Sequence, residues 1–247
     1  MAIYSFGSGV LLGQRTDVAN ATPVNFGLVQ EVQLDLQFTT KELYGQYQFP
    51  LAIARGQAKA QAKAKLAQVS GLAFNALFFG QSLTSGELAT SYGEVGTVPG
   101  SPAYTVTAAN AASFVDDYGV VYAASGLPLA KVASSPAAGQ YSESAGVYSF
   151  AAADAGKAVL LSYTYTMSGT GQMLTLANPL LGTTPTFQTQ LYTSFQGKPV
   201  NLKLFNCVSS KLAFATKLED FVIPELDFDV FANAAGNVLA WSFAEVS

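Results

Sequence analysis

The fold of this chain is constrained first by strict alternation of apolar and polar residues. From Glu31 to Phe38, Val32, Leu34, Leu36 and Phe38 alternate with Glu31, Gln33, Asp35 and Gln37. A period of two sends successive side chains to opposite faces of a strand, so this segment has one apolar and one wet face. Thr186 to Phe195 repeats the pattern, with Phe187, Thr189, Leu191, Thr193 and Phe195 against Gln188, Gln190, Tyr192 and Ser194. Val200, Leu202 and Leu204 mark a further strand. Leu212, Phe214 and Leu218 mark another, opposite Lys211 and Lys217. Leu226, Phe228 and Val230 alternate with Glu225, Asp227 and Asp229. A turn at Ala234–Asn237 then leads to Val238–Phe243, and these last two strands read as a hairpin.

One segment sets propensity against spacing. Gln57 to Gln68 is built of Ala, Lys and Gln with one Leu, nearly all good helix formers. Yet Gln57, Lys59, Gln61, Lys63 and Lys65 alternate with Ala58, Ala60, Ala62, Ala64 and Leu66. On a helix those polar residues would scatter around the axis and leave no apolar stripe. The spacing predicts a strand whose Ala face lets another layer approach closely. Ser70 to Gly80 is the better helix: Ser70 can cap, Leu72, Ala73, Ala76 and Leu77 share a face, and Gly80 ends it.

The middle of the chain changes composition. Residues 98–168 are rich in Ala, Ser, Val and Tyr and poor in Lys, Arg and Leu. They open at the linker-like run Gly96 to Pro102 and close near Ser168–Gly171. Short strands at Tyr104–Thr107, Gly119–Tyr122, Gly146–Phe150 and Ala158–Thr166, with glycines between, predict a small sandwich. The expectation is an inserted β domain at 98–168 within an outer β domain formed by 1–97 and 169–247. The fold class is mainly β, a sandwich or barrel with one short flanking helix plus a small inserted sandwich.

Composition argues against catalysis. The 247 residues include no His and one Cys, and only 11% are charged. Chemistry near neutral pH draws mostly on His, activated Cys or clustered carboxylates. No phosphate-binding loop, dinucleotide fingerprint or metal-ligand spacing is present. Gly7–Gly9 and Gly169–Gly171 lack the spacing of a phosphate cradle and read as turns. Cys207 reads as a small buried hydrophobe, since no His can activate it. We expect no enzyme activity, no catalytic residue, no cofactor and no metal. No run of about 18 apolar residues occurs, so no membrane insertion is expected, and the N-terminus lacks the basic start of a signal peptide. A net charge of −4 argues against a sequence-independent grip on nucleic acid.

Two sets of residues stand out. Glu31, Gln33, Asp35, Gln37, Glu225, Asp227 and Asp229, with the row Lys59, Lys63 and Lys65, are candidates for polar faces lining a lumen or meeting another subunit. The acidic group, which Glu219 and Asp220 extend, reads as a solvated strand face, an electrostatic lining or a cation site. Residues two apart on a strand sit about 6.5–7 Å apart, a poor start for chelation. The lysines are expected to meet acidic groups of a neighbouring subunit, or water. Asp116–Asp117 reads as an exposed turn. Tyr44, Tyr47 and Phe49, on the loop-like connection Thr39–Gly56, are candidate anchors between subunits or rings.

Lys41 to Pro50 with Ile53 to Gly56, Leu72 to Gly80, and Ser210 to Phe228 resemble segments of the tail tube (major tail) proteins of tailed bacteriophages. The resemblance extends over much of 21–81 and 184–247, and the middle block resembles the immunoglobulin-like domains inserted in phage structural proteins. It implies a β-sandwich core with a flanking helix, hexameric rings stacked into a tube, and an inner barrel through which double-stranded DNA passes transiently. It also implies other phage tail proteins as partners, residence in the virion tail after assembly in the host cytoplasm, and an inserted domain on the outside. Lumens of that family tend to be acidic, and the lysine row departs from this. A different expectation, from the Tyr-rich middle block, is a carbohydrate- or receptor-binding module of a virion surface, with Tyr163 and Tyr165 able to stack on sugars.

Overall fold

The computed structural model of the protein describes residues 7–68 and 70–243. It is mainly β, with antiparallel sheets and one short helical segment. The chain forms two compact units: Met1–Ser82 with Leu176–Ser247, and Leu83–Thr175. The sequence boundaries at 97/98 and 168/169 therefore move outward, because two long strands run past them. Composition changes where the middle core begins, but backbone pairing continues beyond it.

The chain starts with β1 (Val10–Arg15), β2 (Val24–Asn25), β3 (Val29–Tyr44) and β4 (Pro50–Leu66). The ambiguous Gln57–Gln68 segment is thus strand up to Leu66: spacing overrides helix propensity because Ala60, Ala62, Ala64 and Leu66 are all buried in one core. A short helix, α1 (Gly71–Phe74), follows and widens into a π-turn over Asn75–Phe79. Ser70 Oγ caps it by accepting from Ala73 N at 3.3 Å. Gly80 ends it at φ 60°, a left-handed conformation that suits glycine.

The middle unit contributes β5 (Thr84–Thr97), β6 (Thr105–Thr107), β7 (Phe114–Tyr122), β8 (Ala130–Lys131), β9 (Gln140–Ser144), β10 (Val147–Phe150) and β11 (Ala158–Met173). They make one sheet ordered β6-β10-β9-β8 and another ordered β5-β11-β7. Val98, Tyr141, Tyr148, Val159, Leu161 and Tyr163 lie in the core they share. Asp117 is not in an exposed turn. It lies within β7 with its side chain 2% exposed, because its partners are inside the sandwich. Gly169–Gly171 is likewise inside the span of β11, opposite Gly86, and not a closing turn.

The chain returns through β12 (Thr186–Phe195), β13 (Lys198–Ala213), β14 (Glu225–Phe231) and β15 (Leu239–Phe243). The large sheet of the first unit runs β2-β1-β12-β13-β14-β4-β3, with β15 also on β13. β14 and β15 are not a hairpin. Both pair with the same edge of β13, β14 along Asn206–Ala213 and β15 along Val200–Leu204. The 16-residue length of β13 accommodates them end to end, and the link between them is held by Asn233 Oδ1, which accepts from Ala235 N at 3.0 Å and Asn237 N at 2.9 Å. The strand expected over Leu212–Leu218 ends at Ala213. Phe214 and Leu218 face solvent, where the Lys217–Asp220 bridge makes a tight turn. Cys207 is buried in β13, and burial pushes its thiol pKa up to about 12. The ring pair Phe187 and Phe228, 5.7 Å apart and edge to face, joins β12 to β14 within the core.

Candidate functional site

The wet face of β3, β4 and β14 is one charged surface. Register places Glu31, Lys65 and Glu225 in one cross-strand row, Gln33, Lys63 and Asp227 in the next, and Asp35, Gln61 and Asp229 in a third. Gln37 and Lys59 face each other beyond them. The central strand is basic and its neighbours acidic. Lys65 Nζ lies 2.7 Å from Glu31 Oε2 and Lys59 Nζ lies 3.6 Å from Asp229 Oδ1. Gln61 Nε2 donates to the same Asp229 oxygen at 2.9 Å. The Glu31 hydrogen bond is the main cause of the raised pKa of Lys65. Lys63 and Lys65 border a recess of about 210 Å³ with Glu31, Glu225 and Asp227.

Within the chain, Lys59 and Lys65 already meet carboxylates, a pairing the sequence reading did not include. The alternation was legible in each strand separately, but the pairing of β4 between β3 and β14 was not. For the same reason Lys211 was missed. It lies opposite Asp227 in register and its Nζ is 3.5 Å from Glu225 Oε2. Glu219 and Asp220 do not join this face. They lie in the turn before β14, with Asp220 3.3 Å from Lys217.

The Thr39–Gly56 connection is not a loop. β3 and β4 continue to Tyr44 and Pro50 as a two-stranded arm, while β14 pairs β4 only from Ala60 to Lys65. A register shift separates arm from sheet: Thr39 Oγ1 donates to Gln57 O at 3.1 Å, and a Cβ on Gly56 would sit 2.6 Å from that hydroxyl. Side chains on both faces of the arm are exposed from Thr40 to Phe49 and from Leu51 to Lys59. Tyr47 and Phe49 sit in its end turn, and Tyr44 in the last residue of β3. Phe38, Tyr44, Leu51 and Ile53 continue the apolar face of the sheet outward without cover. Arg55 lies over the Phe38 ring at 4.2 Å. An unsupported two-stranded ribbon is marginal in water, which with this apolar exposure makes the arm a candidate interaction surface.

The sheet has open margins. Among the described residues β3 pairs only with β4. β12 meets β13 only as far as Val208, which among the described residues leaves Ser209–Ala213 without a strand on that side.

In the middle unit, buried carboxylates hold tyrosines. Asp117 accepts from Tyr141 OH at 2.6 Å and Tyr148 OH at 3.1 Å, and Lys131 Nζ lies 2.9 Å away. Burial works to raise its pKa, but Tyr141, Lys131 and Gly119 N outweigh it and hold the carboxyl below its ordinary value. Asp154, fully buried, similarly binds Tyr122 OH and Lys157 Nζ, each at 2.7 Å. Tyr163 donates to Glu94 and is completely buried, so it has no face to offer a ligand. Tyr165 is half-buried against the same core.

No protein-family model matches the chain, and no curated protein matches it.

Proposed function

We propose that the chain is the structural subunit of a bacteriophage tail tube, assembling as rings, hexameric by the resemblance, that stack into a hollow conduit for genome delivery. The observation that carries this reading is the panel formed by β3, β4, β14 and the end of β13. It has an apolar face packed on the core, a charge-balanced wet face, and an open strand at each side. Open edges of this length invite pairing with another chain, and closing a ring removes them. In the ring, β3 of one copy would lie beside Ser209–Ala213 of the next, and the charged rows would face the channel. DNA affinity rises with each phosphate neutralised by Lys or Arg. Lysines already engaged by Glu31, Asp229 and Glu225 hold DNA weakly, as a conduit requires.

A second reading, a carbohydrate- or receptor-binding module of the virion surface, is favoured by Tyr92 and Tyr118. Each occupies a register shift beside Ser162 of β11, one in β5 and one in β7. Both are exposed, Tyr92 at 91%.

Electron microscopy of the purified protein, concentrated stepwise, separates the two. Hollow rings or tubes support the first reading. Discrete monomers or trimers at every concentration contradict it and favour the second.

A further inference from the structure

The apolar face of the panel is not covered along its whole length. The core packs on Val32 and Leu34 and stops short of Leu36 and Phe38, which are nearly half-exposed. With Ala58, Val230, Phe231 and Leu239 they line a groove of about 440 Å³ on the β3 side of the panel, before the register shift that begins the arm. Among the described residues that line it only Lys59 is charged, and its ammonium lies 3.6 Å from Asp229.

A second uncovered apolar element stands at the opposite margin. Residues 168–197 carry no charged side chain. Within them Thr183 N donates to Leu180 O at 3.1 Å and closes a turn that leaves Leu180 and Leu181 fully in solvent. Gly182, at φ 85°, takes the position where such a turn needs a left-handed residue. The chain from this turn enters β12 at Thr186. Thr186, Val208, Asp229, Gln61 and Asp35 form one cross-strand row, and Leu36 is the next residue along β3. The root of the turn and the groove are therefore level, at the two sides of the panel. Phe187 packs on Phe228 in the core, so β12 begins on the apolar side, where the groove also opens.

We infer that a second copy of this chain fills the groove, side by side with the first, by seating its Leu180 and Leu181 against Leu36, Phe38 and Phe231; this rests on the tube reading and names a contact within its ring. Three features favour this occupant. Pairing of β3 with Ser209–Ala213 of a neighbour would bring the groove of one copy to the margin from which the neighbour's turn projects. Turn and groove are different surfaces on opposite sides of one panel, so the contact is heterologous and repeats around an axis until it closes, whereas turn against turn stops at a dimer. Both elements are apolar, and the single lysine between them is already paired, so seating the leucines leaves no buried charge without a partner.

The test uses Leu181→Cys in the turn and Ala232→Cys on the groove wall, both exposed positions of the full chain. Each variant alone, and the two mixed in dilute solution and then concentrated, are treated with a short bismaleimide and viewed by electron microscopy. Buried Cys207 does not compete. A covalent dimer in the mixture, absent from either variant alone, is expected. Rings or tubes that give no such dimer, or that give dimers with either variant alone, overturn this contact and leave the tube reading standing. Mixed dimers without rings keep the side-by-side contact and contradict the tube. Neither assemblies nor dimers overturns both.

Discussion

Lys65 and Glu31 face each other across β3 and β4, with Nζ and Oε2 2.7 Å apart. The pair is half-exposed and fixes little of the fold; its effect is on the charge of a surface. Together with Lys59 and Lys211 it intersperses cations among the carboxylates of the wet face. Like charges directly opposite on neighbouring strands destabilise a sheet.

Reversing one member of this pattern should therefore be felt. Lys63→Glu would place a fourth acid beside Glu31, Glu225 and Asp227. We expect a loss of up to about 1 kcal/mol at low ionic strength, largely recovered in about 1 M salt, where screening acts within about 3 Å. Urea midpoints at the two salt concentrations measure it. An unchanged midpoint at low salt would show that the rows are not electrostatically coupled.

The small side chains of β4 are required by packing. Ala62 and Ala64 are each 1% exposed in the main core. Ala62→Leu should cost about 1–3 kcal/mol by overpacking, read from chemical denaturation. A neutral outcome would mean that the core opposite β4 has room to spare.

The arm should behave in the opposite way. Tyr47→Ala and Phe49→Asp touch nothing buried, so folding stability should stay within about 0.5 kcal/mol. Self-association should weaken by about 30-fold or more, the equivalent of about 2 kcal/mol at an anchor residue. Sedimentation across a concentration series measures this. Unimpaired association would remove the arm from the interface.

The middle unit should be acid-sensitive. The Asp117 carboxyl has a lower pKa folded than unfolded, and so does Asp154. Such groups contribute stability that is complete above the unfolded value, about 3.9, and is lost as pH falls through the depressed folded value. The protection of amides in residues 83–175, relative to their intrinsic exchange rates at each pH, should therefore fall below about pH 4. Asp117→Asn should be destabilised at neutral pH by about 1–3 kcal/mol and lose less on acidification. Equal acid sensitivity in the variant would exclude Asp117 as a cause.

Elements with a strong period were legible in the sequence. β3 near Glu31–Phe38, β12, and the Ala/Lys run of β4 follow directly from alternation, and the capped helix from Ser70 and Gly80. What failed depended on partners distant in the chain. β14 and β15 look like a hairpin because they are adjacent in sequence, yet β13 takes both. Asp117 looks like a surface residue because its tyrosines lie 24 and 31 residues away. Phe214 and Leu218 continue the alternation of β13, but the chain turns at Lys217–Asp220 and exposes them. The charged residues were identified singly; their interleaving needed the strand order.

The central claim is that the open edge of β3 is completed by an identical chain. Hydrogen exchange of the β3 amides not bonded to β4, followed from dilute to concentrated protein, tests it most directly. The account predicts rapid exchange in dilute solution and strong protection once the protein associates. Rapid exchange at every concentration, or full protection already in the dilute monomer, would contradict it.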